Sequence, residues 1–210
     1  MRLLPLFVLL LAVPGVSPAV TLTFAEFGTA PLSDVNGLHT QGVTFGFTPG
    51  QAFYNQSIGT AGTALLSVDP VLSGSTDGVL TLTFDYSTPL LQFDVLLLSV
   101  STIDDSNQGF NGGPAFTVLL SNGQTFTGGT TPQVNGIYSE GSFGYSGEAI
   151  NSATISFFNG FDANGLPVSQ FGLDNLTFAS PEPASFFGLA GGLLAIGMIK
   201  RHRLAVKRGN

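Results

Sequence analysis

Leu80-Thr-Leu82-Thr-Phe84 puts every apolar side chain on one side of an extended chain and every threonine on the other. A two-residue period of this kind fits a half-buried β-strand and does not fit a helix. The period recurs in Val20-Thr-Leu22-Thr-Phe24, Val43-Thr-Phe45-Gly-Phe47, Phe116-Thr-Val118-Leu-Leu120 and Ile155-Ser-Phe157. No stretch of helical length between residues 20 and 180 carries a 3.6-residue period. Leu90 to Val100 is almost continuously apolar, broken by Gln92, Asp94 and Ser99, which predicts a central strand buried on both faces. Turn signals separate the runs: Ser73-Gly74, Thr76-Asp77-Gly78, Asn122-Gly123, Gly128-Gly129, Asn159-Gly160 and Asn164-Gly165. Asn122-Gly123, between Phe116–Leu120 and Gln124–Thr127, is the strongest hairpin signal. Many short strands joined by such turns predict an all-β fold, an antiparallel β-sandwich of jelly-roll type. Its core has to be built from Phe, Leu, Val and Ile. The chain has 19 Phe and neither Cys nor Trp, and all the Phe but Phe7, Phe186 and Phe187 lie between residues 20 and 180.

Charge is divided sharply along the chain. The six bases are Arg2, Lys200, Arg201, Arg203, Lys207 and Arg208, so residues 3 to 199 contain neither Lys nor Arg. Of the 13 acids only Glu182 lies outside residues 20–180. A central domain this anionic excludes nucleic acid and other phosphate ligands, whose neutralisation needs Lys or Arg. The lack of cysteine excludes disulfides, thiolate metal sites and thiol nucleophiles.

The two ends are set apart by composition, giving three regions: 1–19, 20–179 and 180–210. Arg2 precedes an apolar run from Leu3 to Val13, broken only by Pro5, and Pro14-Gly15 ends it. Ser17 and Ala19 are small residues placed for cleavage before Val20, the pattern of a signal peptide. The run spans about 16 Å as a helix, too short for a hydrocarbon layer of about 30 Å. At the other end Pro181-Glu182-Pro183-Ala184-Ser185 leads into an uncharged, mostly apolar stretch to Ile199. Lys200, Arg201 and Arg203 follow. Residues 184–199 would make a helix about 24 Å long, adequate for a transmembrane span with snorkelling flanks, its basic end at the cytoplasmic face.

This Pro-Glu-Pro motif, apolar helix and Arg-rich tail resemble the PEP-CTERM sorting signal of Gram-negative bacteria. The resemblance covers about 30 residues and all three parts of the signal. It implies export by the general machinery with signal peptidase, then a membrane-anchored precursor. It also implies recognition by exosortase, a membrane-embedded transpeptidase-like enzyme that cuts near the motif. The product would be released or transferred to the cell surface or exopolysaccharide matrix. A sorting signal gives an address and a processing enzyme, and leaves open what the domain upstream does.

The domain itself shows no catalytic constellation. His39 is the only histidine outside the tail, and Gly144-Tyr145-Ser146-Gly147-Glu148 departs from a nucleophile elbow at its last position. Acid-rich segments raise the question of calcium, which takes oxygen ligands. Asp104-Asp105-Ser106-Asn107-Gln108-Gly109 has donors and a turn glycine but lacks the late glutamate of an EF-hand. Asp162-Ala-Asn164-Gly165 offers one ligand at a turn. In Phe171-Gly-Leu173-Asp174-Asn175-Leu176-Thr-Phe178 the apolar parity switches, and a β-bulge at Asp174-Asn175 would return both apolar pairs to the core. That segment resembles the closing strand of carbohydrate-binding jelly rolls, where such a pair helps hold a structural calcium. Asp174 and Asn175, with Asp104 and Asp105, are thus the candidate calcium ligands. Three readings of the domain follow. The first is a non-enzymatic structural or adhesive role in exopolysaccharide or biofilm. The second is a calcium-assisted carbohydrate-binding module, with Tyr54, Tyr86, Tyr138 and Tyr145 as sugar-stacking groups. The third and weakest is a secreted hydrolase.

Overall fold

The computed structural model describes residues 18–27, 33–56, 71–104, 113–133 and 137–179. Apart from Pro18 these fall in one compact unit, Ala19–Ser180. The strands, in chain order, are β1 (Ala19–Leu22), β2 (Ser33–Asp34), β3 (His39–Thr40), β4 (Val43–Thr48), β5 (Ala52–Gln56), β6 (Val71–Ser75) and β7 (Val79–Leu98). They continue with β8 (Phe116–Leu120), β9 (Thr125–Gly128), β10 (Thr131–Pro132), β11 (Tyr138–Phe157), β12 (Gly160–Phe161), β13 (Pro167–Val168) and β14 (Gln170–Ala179). Among the described residues no helix is long and apolar enough to cross a membrane. The predicted signal peptide and sorting segment lie outside them, apart from the last residues before Val20.

The fold is the predicted antiparallel β-sandwich, with one departure in its build. The sequence suggests separate strands at 80–84 and 90–100, and another at 155–157. The structure makes β7 and β11 single 20-residue strands. Each serves both layers. Residues 79–84 of β7 pair with β4 on one side and with 152–156 of β11 on the other, and β8 and β9 extend this layer. Residues 90–98 of β7 pair with 138–146 of β11, while 91–97 also pair with β14; β6, β5 and β2 extend that layer. The ladder between the long strands breaks between Ser146 and Ser152, where the strands cross from one layer to the other. Pro89, with no N–H for a ladder, sits at that break. The Thr88 hydroxyl serves the backbone there, donating to the Leu90 carbonyl at 2.8 Å and accepting from the Ala179 N–H at 2.9 Å.

Phenylalanine fills the space between the layers. Phe157 on β11 stacks on Phe171 of β14, with centroids 3.8 Å apart and planes 8° from parallel. Phe47 on β4 meets Phe171 at 5.7 Å, Phe93 on β7 meets Phe116 of β8 at 6.1 Å, and Phe126 on β9 meets Phe143 of β11 at 5.8 Å. No hydrogen-bonded ladder joins the two strands in any of these pairs, so the rings hold layer to layer. Aromatic pairs of this kind contribute about 0.5–1.5 kcal/mol each beyond their buried area.

Two glycine signals in the sequence have different outcomes. The Asn122-Gly123 hairpin forms between β8 and β9. Gly123 has φ +86°, and the Asn122 carboxamide oxygen accepts from the Gln124 N–H at 3.1 Å. Ser73-Gly74, by contrast, is not a turn. Both residues lie inside β6, and a Cβ on Gly74 would stand 2.8 Å from Phe171 Cε1 and 3.0 Å from Ala52 Cβ. Glycine is there because a ring and a methyl group leave no room, a requirement set by tertiary packing.

Candidate functional site

Alternation along β5, β6 and β14 decides what faces outward from one layer. Ala52, Leu72, Phe171 and Leu173 turn inward to the core. Phe53, Ser73, Ser75 and Gln170 therefore turn outward. The register aligns them, with Phe53 opposite Ser73 and Ser75 opposite Gln170. Gln51, just before β5, and Ser169, just before β14, complete the rim. Together with Gly74 these residues line an open cleft of about 350 Å³.

The cleft is held in shape by hydrogen bonds. Gln170 Nε2 donates to Ser73 Oγ at 2.8 Å, across the floor. Gln51 Nε2 donates to Asp34 Oδ2 at 3.1 Å, while Asp34 Oδ1 accepts from the backbone and side-chain nitrogens of Asn36 at 2.9 and 3.1 Å. At the end of β6 the Thr76 N–H and hydroxyl donate to the carbonyls of Ser169 and Val168, fixing the rim to the turn. Gln51, Ser75 and Ser169 are exposed, Phe53 and Gln170 are half-buried, and Ser73 is buried beneath them. The lining holds hydroxyls, amides and one aromatic ring, and no charged side chain.

The predicted bulge is present in β14. Asp174 pairs with Asp94 of β7 and Thr177 with Gln92, so β14 has one residue more than its partner. Asn175 takes φ +50°, which asparagine tolerates better than most residues. Phe171, Leu173, Leu176 and Phe178 are all buried as a result. Asn175 Nδ2 donates to Asp94 Oδ2 at 2.8 Å. Burial lifts the Asp94 carboxyl above its usual range, and the Asn175 bond offsets part of that rise.

The four candidate calcium ligands do not converge in the part described. Asp174 and Asn175 lie on β14 beside β7, whereas Asp104 follows Ile103, which bridges to Thr130 at the other side of β11. Asp105 lies outside the described residues, as do Pro181, Glu182, Pro183, Ala184, Ser185, Lys200, Arg201 and Arg203 of the sorting segment. Among the described residues no three acidic or histidine side chains gather as a metal would require.

Asp162, offered by sequence as a lone ligand at a turn, is committed to structure. Its Oδ1 accepts from the N–H groups of Asn164 and Leu166, each at 2.9 Å, and its Oδ2 accepts from Ser99 Oγ at 3.2 Å. Asn164 Nδ2 reaches Ser101 Oγ at 3.0 Å. This carboxylate pins the β12–β13 hairpin to the segment after β7. Burial is the largest single influence on it and raises its pKa, but the hydrogen bonds outweigh burial and the net shift is downward.

The tyrosines correct the sequence reading of a stacking set. Tyr138 and Tyr145 are buried, and the Tyr145 hydroxyl donates to the Glu148 carbonyl at 2.6 Å. Tyr54 packs against Phe27 with centroids 4.6 Å apart. Of the four only Tyr86 is exposed. A tyrosine's polar tip is compatible with either surface or core, so composition does not separate the two. His39 lies at the surface, 3.4 Å from an Asp85 oxygen and 3.2 Å from Thr44 Oγ1. Local sequence does little to mark the cleft. Its one signal was the spacing of Ser73 and Ser75 on one face, hidden because Gly74 resembled a turn.

No protein-family model matches the chain, and no curated protein does. Among solved structures it is similar to family 29 carbohydrate binding modules. A variant of one is 11% identical with a TM-score of 0.35, over 78% of this chain and 92% of that one. Another structure of the family is 11% identical with a TM-score of 0.34, over 78% of this chain and 90% of that one. At such identity a shared ligand does not follow.

Proposed function

We propose that this chain is an exported, non-catalytic saccharide-binding β-sandwich that works at the bacterial surface or in the exopolysaccharide matrix. The observation that carries the binding role is the cleft of Gln51, Phe53, Ser75, Ser169 and Gln170. Hydroxyls and amides that both donate and accept, beside an aromatic ring, are the groups that hold a polyhydroxylated ring with apolar C–H faces. Isothermal titration of the full chain in mild detergent against a panel of polysaccharides tests it. Phe53→Ala and Gln170→Ala should each weaken binding about tenfold, the scale of one lost ring contact or hydrogen bond. Binding that survives both changes places the ligand elsewhere, and no binding to any polymer leaves a structural role in the matrix.

The address rests on sequence: the signal peptide ending at Ala19 and the resemblance of residues 180–210 to an exosortase substrate. Replacing Pro181, Glu182 and Pro183 with alanine should block maturation in the native host. Mass spectrometry of the exported protein is the check, because a mature form still carrying Lys200–Asn210 contradicts processing.

A further inference from the structure

We infer that the cleft selects neutral saccharides and rejects acidic ones, a refinement that rests on the saccharide reading above. Three independent features lead there. The first is which hydrogen-bonding groups the cleft has left to offer. Gln51 Nε2 is held by the Asp34 carboxylate and Gln170 Nε2 by Ser73 Oγ. The Gln51 orientation is fixed by chemistry, since a carboxylate only accepts and must face the amide nitrogen. Each amide therefore spends one of its two N–H donors inside the protein, which tips the balance of what the rim can present from donors toward carbonyl acceptors. Amide carbonyls complement the hydroxyl donors of a neutral sugar. They repel a uronic-acid carboxylate or a sulfate, which has only acceptors to present.

The second feature is the local charge. Asp34 sits behind Gln51 at one rim, and exposed Asp77 lies in the turn two residues after Ser75. The third is the absence of compensation. Recognition of a sugar carboxylate or sulfate uses Arg or Lys. The chain has neither from residue 3 to residue 199, and His39 on β3 lies against Asp85 of β7 and is not part of the cleft's lining. An anionic polymer thus meets a field of its own sign on the approach as well as at the site.

The test compares neutral glucans, galactans and xylans with alginate and polygalacturonate. It uses the full chain in mild detergent, at low ionic strength, with a chelator present so that no divalent ion bridges acid to acid. The expected result is binding to a neutral polymer and at least about tenfold weaker binding to the polyuronates. Ser169→Lys, which adds a cation at the rim, should narrow that gap, and added salt should narrow it in the unaltered protein by screening. Polyuronate binding as tight as neutral binding overturns the selectivity and leaves the saccharide reading standing. Failure of every polymer in both classes overturns the two together.

Discussion

Asp162 and Asp94 are both carboxylates lodged against the sandwich, and their surroundings move them in opposite directions. Asp162 is drawn below the usual range by its hydrogen bonds, so the stability it adds is fully present above the ordinary carboxylate pKa. That stability is lost as pH falls through the lower, folded value. Replacing Asp162 with alanine strands the donors of Asn164, Leu166 and Ser99 and should cost about 2–4 kcal/mol at neutral pH in urea unfolding. The same variant should show a flatter acid limb below about pH 4 than the unaltered protein. Asp94 behaves in the opposite sense. Its folded pKa is raised, so the folded state holds the proton more tightly than the unfolded chain. The stability tied to it is present at low pH and declines as pH rises through the folded value. Asp94→Asn should therefore raise the melting temperature at neutral pH relative to the unaltered protein, with the gain shrinking toward about pH 4. The carboxamide introduced by that change keeps a carbonyl oxygen able to accept from Asn175, so the hydrogen bond is kept while the half-buried charge is removed.

At the scale of the strand, the bulge in β14 and the glycines facing rings were legible to different degrees. The parity switch between Leu173 and Leu176 announces the bulge because four large apolar residues can share a core only if one position is skipped. Asn175 supplies the left-handed conformation this requires. Asn175→Val should lower stability by about 1–2 kcal/mol more than Asn175→Gly, since glycine keeps the backbone and a β-branched residue strains it. Gly128 carries a different constraint. It pairs with Phe116 across β8 and β9, and the Phe116 ring occupies the space a Cβ would need. Gly128→Ala should cost about 1–3 kcal/mol by displacing that ring, read as a lower midpoint at unchanged slope in denaturant. In the sequence Gly128-Gly129 looks like a turn, as Ser73-Gly74 does. A glycine chosen for crowding and one chosen for a positive φ are the same letter, and only the neighbouring strand tells them apart.

Over the whole molecule two features dominate, a phenylalanine core and an uncompensated negative charge. Phe171 touches rings from β4 and β11 in the facing layer, so Phe171→Ala removes a contact between layers and should cost about 3–5 kcal/mol. Self-repulsion among the acids should make stability rise with salt at neutral pH, and a melting temperature independent of ionic strength would contradict this. The strand period, the turn at Asn122-Gly123, the bulge and the anionic field were all set by the order of residues along the chain. Each depends on neighbours a few positions apart or on a simple count of charges. The terminal segments are likewise a matter of local composition. Tertiary structure alone decided that β7 and β11 run through both layers, which of four tyrosines stay outside, and that Asp162 braces a hairpin. It also decided that Gln51, Phe53, Ser75, Ser169 and Gln170 share one cleft. Those facts depend on which strands become neighbours, and residues as far apart as Gln51 and Gln170 have no local signal that carries their meeting.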